Sequence, residues 1–209
     1  MRSSASVAVA EPEARPYHHG DLRRALVEAA LNIVERDGLA ALSLRAVARE
    51  AGVSPAAPYH HFKDKQELLV AVGAEGFDRM TDEMLAAKTS APDPLAALTA
   101  IGVAYVCYAR KHPALYTLMW DCSHHEAGTP EPDSEKRAYN LLEQTIIEAG
   151  VASEDDPVQL KLAAVAAWTG AHGLAEMANF EQFAPLVEAL GSQEAFFAAV
   201  LSAGKGPSC

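Results

Sequence analysis

Several kinds of residue and segment are scarce in this 209-residue chain, and each scarcity excludes a class of protein. Three cysteines, Cys107, Cys122 and Cys209, are too few and too scattered for a disulfide framework, which favours a reducing compartment. No apolar run reaches the roughly 18 residues that a membrane-spanning helix requires, and the N-terminal stretch does not resemble a secretory signal. β-Branched residues are sparse while alanine is abundant, so the sequence predicts an all-α fold.

Basic charge is also scarce, because 17 lysines and arginines stand against 28 aspartates and glutamates, for a net charge of −11. This acidity argues against non-specific binding of a polyanion by the whole surface. The excess is confined to the C-terminal part, since residues 1–70 hold nine basic residues, nine acidic residues and four of the eight histidines. A local DNA-facing patch in the N-terminal third is compatible with this distribution.

Apolar residues recur at helical spacing along most of the chain, and glycines and prolines separate the periodic segments. The pattern predicts helices over residues 21–37, 43–51, 54–62, 64–88, 94–111, 113–121, 135–149, 157–179, 183–190 and 192–203. The stretch 123–134 is predicted to be a loop because it holds two prolines and a glycine. In the long fourth helix, Leu85 is expected to face inward, and we hypothesise that Gly73 and Gly76 let the helix bend.

The second and third predicted helices are joined by a tight turn in the stretch AREAGVSPAAPYHHF. Ser43 and Ser54 are predicted to cap these two helices, with Gly52 in the turn and Pro55 at the first position of the third helix. Two short helices at this spacing are typical of a helix-turn-helix, whose second helix enters the major groove of DNA. The alternative is an ordinary three-helix bundle that binds nothing.

Candidate DNA contacts cluster around residues 54–62, which we call the recognition segment. The capping hydroxyls, the outward-facing Arg45 and the Tyr59 hydroxyl are suited to phosphates. Because the segment has no Arg, Asn or Gln, base readout is expected from apolar contacts with thymine methyl groups and from His60. The candidate DNA-binding residues are Ser43, Arg45, Ser54, Ala56, Ala57, Pro58, Tyr59, His60, His61, Lys63 and Lys65.

This region resembles the TetR (tetracycline-repressor) family of bacterial regulators. The resemblance is carried by LSLRAVA at 42–48, AGVS at 51–54, YHHFKDK at 59–65 and the leucine pair at 68–69, and the upstream HHGDLRRALVEAAL fits the same family. It implies nine or ten helices, a dimer formed by the last helices, and a transcriptional repressor that a small ligand releases from its operator. A shorter match, Trp168, His172 and Gly173, is similar to the Trp-x-x-x-His-Gly element of one subgroup.

The recognition segment departs from the family pattern at one step. Many members carry Gly–Thr/Ala–Leu before the tyrosine, whereas this chain has Ala56, Ala57 and Pro58. Pro58 has no N–H to donate, so the recognition helix is expected to start irregularly or to be very short. The missing base-reading side chains leave an alternative open, a helical small-molecule-binding protein whose degenerate helix-turn-helix does not bind DNA.

Aromatic and soft side chains concentrate in the middle helices, where they could line an apolar pocket with a few polar groups. Each of them could instead be ordinary core, and the pocket rests largely on the family resemblance. His172 follows Trp168 by one helical turn and could orient a ligand, or could be a satisfied core or interface histidine. The candidate ligand-binding residues are Tyr105, Tyr108, Tyr116, Met119, Trp120, Trp168 and His172.

The segment 157–179 is long, apolar and rich in small residues, which let another helix approach closely. Together with the last helix it could form a four-helix homodimer interface, as the resemblance implies, or it could pack within one chain. A two-fold dimer would match a palindromic operator with half-sites about a helical turn or more apart.

The expected organisation is a disordered tail over residues 1–16, a helix-turn-helix DNA-binding domain over 17–65, and a ligand-binding and dimerisation domain over 66–209. The expected partners are a double-stranded DNA operator, a small-molecule effector and a second copy of the chain, with no membrane. The expected location is the cytoplasm.

Neither a metal nor a cofactor is expected. The cluster CSHHE at residues 122–126 contains metal-ligand types, but adjacent histidines in a loop rarely both reach one ion. No nucleophile elbow, phosphate loop or paired-carboxylate signature appears, so the chain is not expected to be an enzyme.

Overall fold

The computed structural model describes residues 19–123, 133–178 and 180–203, and over these residues the all-α fold is confirmed. The α-helices are α1 (His19–Asp37), α2 (Leu44–Glu50), α3 (Lys65–Ser90), α4 (Pro94–Lys111), α5 (Pro113–Ser123), α6 (Asp133–Glu148), α7 (Pro157–Met177), α8 (Ala184–Leu190) and α9 (Gln193–Ala203). Short 3₁₀ helices are formed by Leu39–Ala41, Ala57–His60 and Glu181–Phe183. The predicted tail over residues 1–16 and most of the predicted loop over 123–134 lie outside the described residues.

Helix boundaries fall close to the predicted ones where an acidic cap precedes a proline. Asp93 accepts a hydrogen bond from the Ala96 backbone N–H at 2.8 Å, and α4 then begins at Pro94. Asp156 accepts one from the Gln159 N–H at 3.0 Å, and α7 begins at Pro157 in the same way. An N-terminal proline loses no hydrogen bond because the first N–H groups of a helix have no intrahelical partner.

The predicted third helix is very short, as Pro58 led us to expect, but it is a 3₁₀ helix rather than an α-helix over 54–62, and its predicted Ser54 cap is not observed. The recognition segment forms only the 3₁₀ helix Ala57–His60, and the residue before it, Ala56, makes no side-chain capping bond. The Ser54 carbonyl accepts a hydrogen bond from the Ala57 N–H at 3.0 Å, which is a 3₁₀ contact. In an α-helix that carbonyl would accept from residue 58, and Pro58 has no N–H, so the tighter turn takes its place.

The long helix α3 is the centre of the molecule and packs against α4, α5 and α6. Helix α4 also packs against α7 and α9, and α6 lies against α7. Helix α1 contacts α2, α3 and α5, so one connected apolar core runs from the helix-turn-helix into the larger helical part. Movement of one part is therefore resisted by buried side chains of the other.

One expectation about α3 needs correction, and one of its glycines has a packing role. Leu85, expected to face inward, is 45% exposed. Gly76 is buried, and a Cβ atom at this position would lie 2.8 Å from Cγ and Sδ of Met119 and 3.2 Å from Cδ1 of Leu115. The close approach of α5 therefore requires a residue without a side chain at this position, and α3 is continuous from Lys65 to Ser90. Bending at Gly73 and Gly76 on ligand binding stays a prediction.

No single helix among the described ranges is both long and apolar enough to cross a membrane. One bent pair, Glu181–Leu190 with Gln193–Ala203, passes by length and composition only, with 97° between its two parts.

Candidate DNA-binding surface and effector cavity

The helix-turn-helix is built from short-range hydrogen bonds. The Ser43 hydroxyl accepts from the Ala46 N–H at 3.1 Å, so its predicted cap is observed. Gly52 has φ 68°, and the Val53 N–H beyond it donates to the Ala48 carbonyl at 2.9 Å. This left-handed residue ends α2 and turns the chain toward the recognition segment.

An ion pair fixes α2 against α1. Arg36 donates two hydrogen bonds to the Glu50 carboxylate, each at 3.0 Å, so the pair is bidentate. These bonds lower the pKa of Glu50, and hydrogen bonds to Glu50 and Asp37 raise the pKa of Arg36. On the other side of α1, the Arg23 guanidinium lies 5.2 Å from the ring centroid of buried Phe62, which ends the recognition segment.

Most predicted DNA-binding side chains are exposed, but the recognition segment buries one of them. The exposed members are Ser43, Arg45, Ser54, Ala56, Tyr59, His60, Lys63 and Lys65, while Ala57 and His61 are half-buried. Pro58 is buried, so the expected contact between its ring and a thymine methyl group is wrong for this conformation. Tyr59, the next residue, is 55% exposed, so its side chain is accessible on the surface of the recognition segment.

The junction after the recognition segment is held by two carboxylates that the sequence analysis missed. Asp64 caps α3 by accepting from the Glu67 N–H at 3.0 Å, and Glu67 accepts from the Lys63 N–H at 2.7 Å. The arrangement resembles a capping box, except that Glu67 accepts from the residue before the cap rather than from the cap itself, and the Asp-x-x-Glu spacing is the sequence signal for it. It fixes the backbone that carries Lys63 and Lys65.

A cavity of about 990 Å³ lies in the larger helical part, between α3, α4, α5, α6, α7 and α9. Of the predicted ligand-binding residues, Tyr105, Trp120 and Trp168 line it. Its wall also includes residues that were not predicted, with Tyr139, Leu142 and Ile146 from α6 and Phe77, Met80 and Met84 from α3. Of these residues, Tyr139 could have been predicted from the sequence, because it is an aromatic residue on an amphipathic helix.

Tyr116 and His172 lie directly behind the cavity wall and form a polar cluster with Tyr105. The two hydroxyl oxygens are 2.9 Å apart, and His172 Nδ1 lies 2.9 Å from the Tyr105 oxygen and 2.7 Å from the Tyr116 oxygen. Burial raises the pKa of both tyrosines above the ordinary tyrosine value, and the charge of Tyr116 raises that of Tyr105 further. The cluster therefore presents neutral hydroxyl groups at physiological pH.

Two predicted ligand-binding residues belong to the core instead. Met119 is fully buried and packs against Gly76, and it does not line the cavity. Tyr108 is also fully buried outside the cavity, with its ring 4.7 Å from that of His112. Burial raises the pKa of Tyr108, and its hydroxyl has no hydrogen-bond partner in the described part of the chain.

Helix α7 exposes much of its apolar side. Val158, Leu162, Val165 and Met177 are all exposed, as are Leu186 and Leu190 of α8 and Val200 of α9. Large apolar patches on a single chain mark contact surfaces. Helices α7 and α9, for which a homodimer interface is predicted, contact each other within the chain, and the interface itself stays a prediction.

No cluster of three or more metal-ligating side chains occurs within residues 19–123, 133–178 and 180–203. Of the predicted candidates, His124 and His125 lie outside the described residues, as does the side chain of Cys122. Cys107 is a half-buried free cysteine.

Comparisons with known proteins match both parts of the chain. Residues 26–72 match the model of bacterial regulatory proteins of the tetR family, and residues 98–203 match the model of the tetracyclin repressor-like C-terminal domain. A solved structure from Rhodococcus sp. RHA1, described as a protein with unknown function, is 34% identical with a TM-score of 0.74, covering 94% of this chain and 100% of that one. A TetR family transcription regulator from Marinobacter aquaeolei VT8, 21% identical with a TM-score of 0.57, covers 85% of this chain and 94% of its own, and it shares the fold.

Curated relatives match over shorter stretches. The HTH-type transcriptional regulator BetI of Rhizobium meliloti (strain 1021) is 37% identical over 79 residues, which are 38% of this chain and 39% of that protein. The HTH-type nicotine-responsive transcriptional repressor HdnoR of Paenarthrobacter nicotinovorans is 44% identical over 55 residues, 26% of this chain and 28% of its own length. The chain therefore aligns with less than half the length of either. With one family model covering half of its residues and a second covering the helix-turn-helix, the chain belongs to the TetR family of transcriptional regulators.

Proposed function

We propose that this protein is a transcriptional repressor that binds a palindromic operator as a homodimer and leaves it when a small molecule occupies the cavity. The observation that carries this proposal is that one helix, α3, packs against the exposed helix-turn-helix and also lines a separate, largely apolar cavity. A ligand can change DNA affinity only if it favours one arrangement of such connected parts. Residues 17–65 form the proposed DNA-binding domain and residues 66–209 the proposed ligand-binding and dimerisation domain.

The proposed DNA contacts are sorted by what each side chain can reach. Arg45, Tyr59, Lys63 and Lys65 are exposed near the capped ends of α2 and α3, where they suit phosphate oxygens. Ala56 and His60 are exposed on the recognition segment and are the proposed base contacts. Backbone contacts to phosphates are expected to supply most of the affinity, since the segment offers no bidentate base reader.

The proposed dimer uses the exposed apolar face of α7 with α9. Two copies related by a two-fold axis would bury this face and would present two recognition segments to successive half-sites of a palindrome. A repressor acting on chromosomal DNA works in the cytoplasm, and no enzymatic activity is part of this proposal.

A mobility-shift titration on the DNA upstream of the gene tests the proposal, together with selection of binding sequences from random duplexes. We expect a specific shift whose affinity falls steeply with salt concentration, and an enriched sequence with two-fold symmetry. An asymmetric enriched sequence would contradict the dimeric mode of binding.

The alternative, a small-molecule-binding protein with a degenerate helix-turn-helix, is favoured by one observation. The recognition segment is a single 3₁₀ turn with one buried proline and no Arg, Asn or Gln. If no duplex is shifted or enriched at low salt while a ligand still stabilises the protein against heat, this alternative replaces the repressor.

A further inference from the structure

One part of the cavity wall is aromatic. The rings of Trp120 and Trp168 lie 5.5 Å apart with an angle of 32° between their planes, and Tyr139 meets Trp168 edge-on at 6.3 Å. Trp120 is held from behind by edge contacts with Phe77 and His172, each at 5.2 Å. Because these neighbours fix the position of Trp120, its indole offers a rigid aromatic surface, next to that of Trp168, for contact with a planar ring system.

The charged groups in the cavity wall already have partners. Among the lining residues these groups are Glu135, Lys136 and Lys161. Lys161 Nζ lies 2.7 Å from Glu143 Oε1 and 4.8 Å from the ring centroid of Tyr139, so an ammonium group already occupies an aromatic face at this site. Lys136 lies 3.7 Å from Asp133, and Glu135 also takes part in a polar interaction.

A charged ligand would therefore lack a dedicated counter-ion in the cavity. Taking an ion out of water is costly unless an opposite charge and hydrogen bonds replace its hydration. Glu176 affects the tyrosine pair electrostatically, but it is exposed on α7 and is not part of the cavity wall. Its charge is screened by solvent, which leaves the neutral hydroxyl of Tyr105 as the polar group at this end of the cavity.

Tyr105 also shares a hydrogen bond with the Trp168 side chain. A phenol oxygen offers one donor and two acceptor positions, so Tyr105 keeps one unused position when Tyr116, and not Tyr105, bonds to His172 Nδ1. When Nδ1 accepts from Tyr116, the Tyr105 hydroxyl donates to the Tyr116 oxygen, and the Tyr105 oxygen can accept from a ligand. When Nδ1 carries the proton and donates to Tyr116, the Tyr116 hydroxyl donates to Tyr105, whose proton can go to a ligand. One change of tautomer thus lets Tyr105 accommodate either a donor or an acceptor.

From these observations we infer that the cavity takes an uncharged, mostly apolar molecule with a flat ring system and one hydroxyl or carbonyl group, which is hydrogen-bonded to Tyr105. The ring system stacks on the indole pair of Trp120 and Trp168. This inference rests on the proposed function in taking the cavity for the effector site, but ligand binding to it can be measured without DNA.

Binding can be followed by intrinsic fluorescence, because the chain has two tryptophans and both lie in the cavity wall. The probes share one ring system and differ in one group: 2-naphthol, naphthalene, 2-naphthoate and 2-naphthylmethylammonium. We expect 2-naphthol to bind most tightly, and naphthalene about two- to tenfold more weakly, as one hydrogen bond allows. The anion and the cation should bind more weakly than naphthalene.

The variant Tyr105→Phe should abolish the difference between 2-naphthol and naphthalene. Naphthalene affinity should stay unchanged, which also reports that the variant is folded. The matched control is Tyr59→Phe, which removes the hydroxyl of an exposed tyrosine in the recognition segment, outside the cavity wall, and should keep the preference for 2-naphthol.

Tightest binding by the anion or the cation would overturn the inference, as would failure of all the probes to bind. A preference for 2-naphthol that persists in Tyr105→Phe would overturn the assignment of the hydrogen bond. These outcomes are independent of DNA binding: a protein that shifts its operator but prefers a charged probe disproves only the ligand class. A protein that binds 2-naphthol as expected but shifts no DNA disproves only the repressor.

Discussion

His112 Nδ1 lies 2.6 Å from Glu35 Oε1, and this contact joins the α4–α5 junction to the last turn of α1. The His112 ring also covers the buried Tyr108. An ion pair between Arg79 of α3 and Glu28 of α1 also joins α1 to the larger helical part. These polar contacts connect the proposed DNA-binding domain to the helices that surround the cavity, and they are the parts of the structure best placed to transmit a change from one to the other.

The first prediction concerns this connection. His112→Ala removes the contact with Glu35, so effector binding should change operator affinity several-fold less than in the unaltered protein, within the typical coupling of about 1–3 kcal/mol. Operator affinity without effector and effector affinity without DNA should be nearly retained. Mobility-shift titrations with and without an effector from a thermal-shift screen measure this ratio. The control is Lys111→Ala, whose side chain pairs with Glu83 of α3 and not with α1; an equal loss of coupling in both variants would contradict a specific role for His112.

The second prediction concerns Gly76. Gly76→Ala should lower the free energy of unfolding by about 1–3 kcal/mol, because the new methyl group overlaps the Met119 side chain and crowds Leu115. Chemical denaturation measures this loss. Gly173→Ala is the matched control, since a Cβ atom there meets nothing within 4 Å and alanine is the better helix former. A stable Gly76→Ala variant with a weakened effector response would support the bending hypothesis.

Gly76 also shows where sequence reasoning ends. The pattern located a glycine inside a long helix correctly, but the reason for it is a side chain of α5, 43 positions further along, and only the fold brings Met119 there. Pro58 is the opposite case, because its missing N–H predicts a short or irregular recognition helix from local chemistry alone, as observed.

The lining residues of the cavity could be predicted from the sequence only in part. Aromatic composition predicted Tyr105, Trp120 and Trp168 as lining residues, but the same reasoning included Tyr108 and Met119, which are core. Helical spacing places residues on one face of a helix and does not tell whether that face meets a cavity or another helix. The three-way contact of Tyr105, Tyr116 and His172 could not be predicted for the same reason, because it depends on the packing of α4, α5 and α7.

The third prediction is a pH dependence of the Arg36–Glu50 pair. Arg36 holds the pKa of Glu50 below its unfolded value, so the pair stabilises the fold fully above the ordinary glutamate pKa of about 4.3 and loses its effect as the pH falls through the folded value. Glu50→Gln should therefore be less stable than the unaltered protein at neutral pH, with a difference that shrinks on acidification below that value. Thermal unfolding across this pH range measures it. In an Arg36→Ala background the same substitution should have no such pH-dependent effect, and a persisting effect would assign it to another partner.

The fourth prediction addresses the proposed dimer. Leu162 is 59% exposed on α7, and a charge there would be buried unpaired if two copies met at this face. Leu162→Glu should shift the protein from dimer to monomer in sedimentation velocity and should weaken operator binding, while heat stability of the monomer changes little. Val70→Glu, at an exposed apolar position of α3, is the control and should leave the dimer intact. If Leu162→Glu sediments as a dimer, the interface lies elsewhere.

The fifth prediction separates the two kinds of DNA contact. Lys65→Ala and Tyr59→Phe each remove a proposed phosphate contact, so both should weaken binding about equally for every duplex, and Lys65→Ala should also reduce the salt dependence by about one counter-ion per half-site.

Ala56→Ser changes an exposed position of the recognition segment without adding charge, so it should alter which sequences are enriched in a selection while affecting non-specific binding little. Leu85→Ala, on an exposed part of α3 beyond the helix-turn-helix, is the control for both experiments. Unchanged binding by Tyr59→Phe would remove its phosphate contact from the proposal, and an unchanged sequence preference in Ala56→Ser would mean that the protein reads the shape of the DNA rather than its base edges.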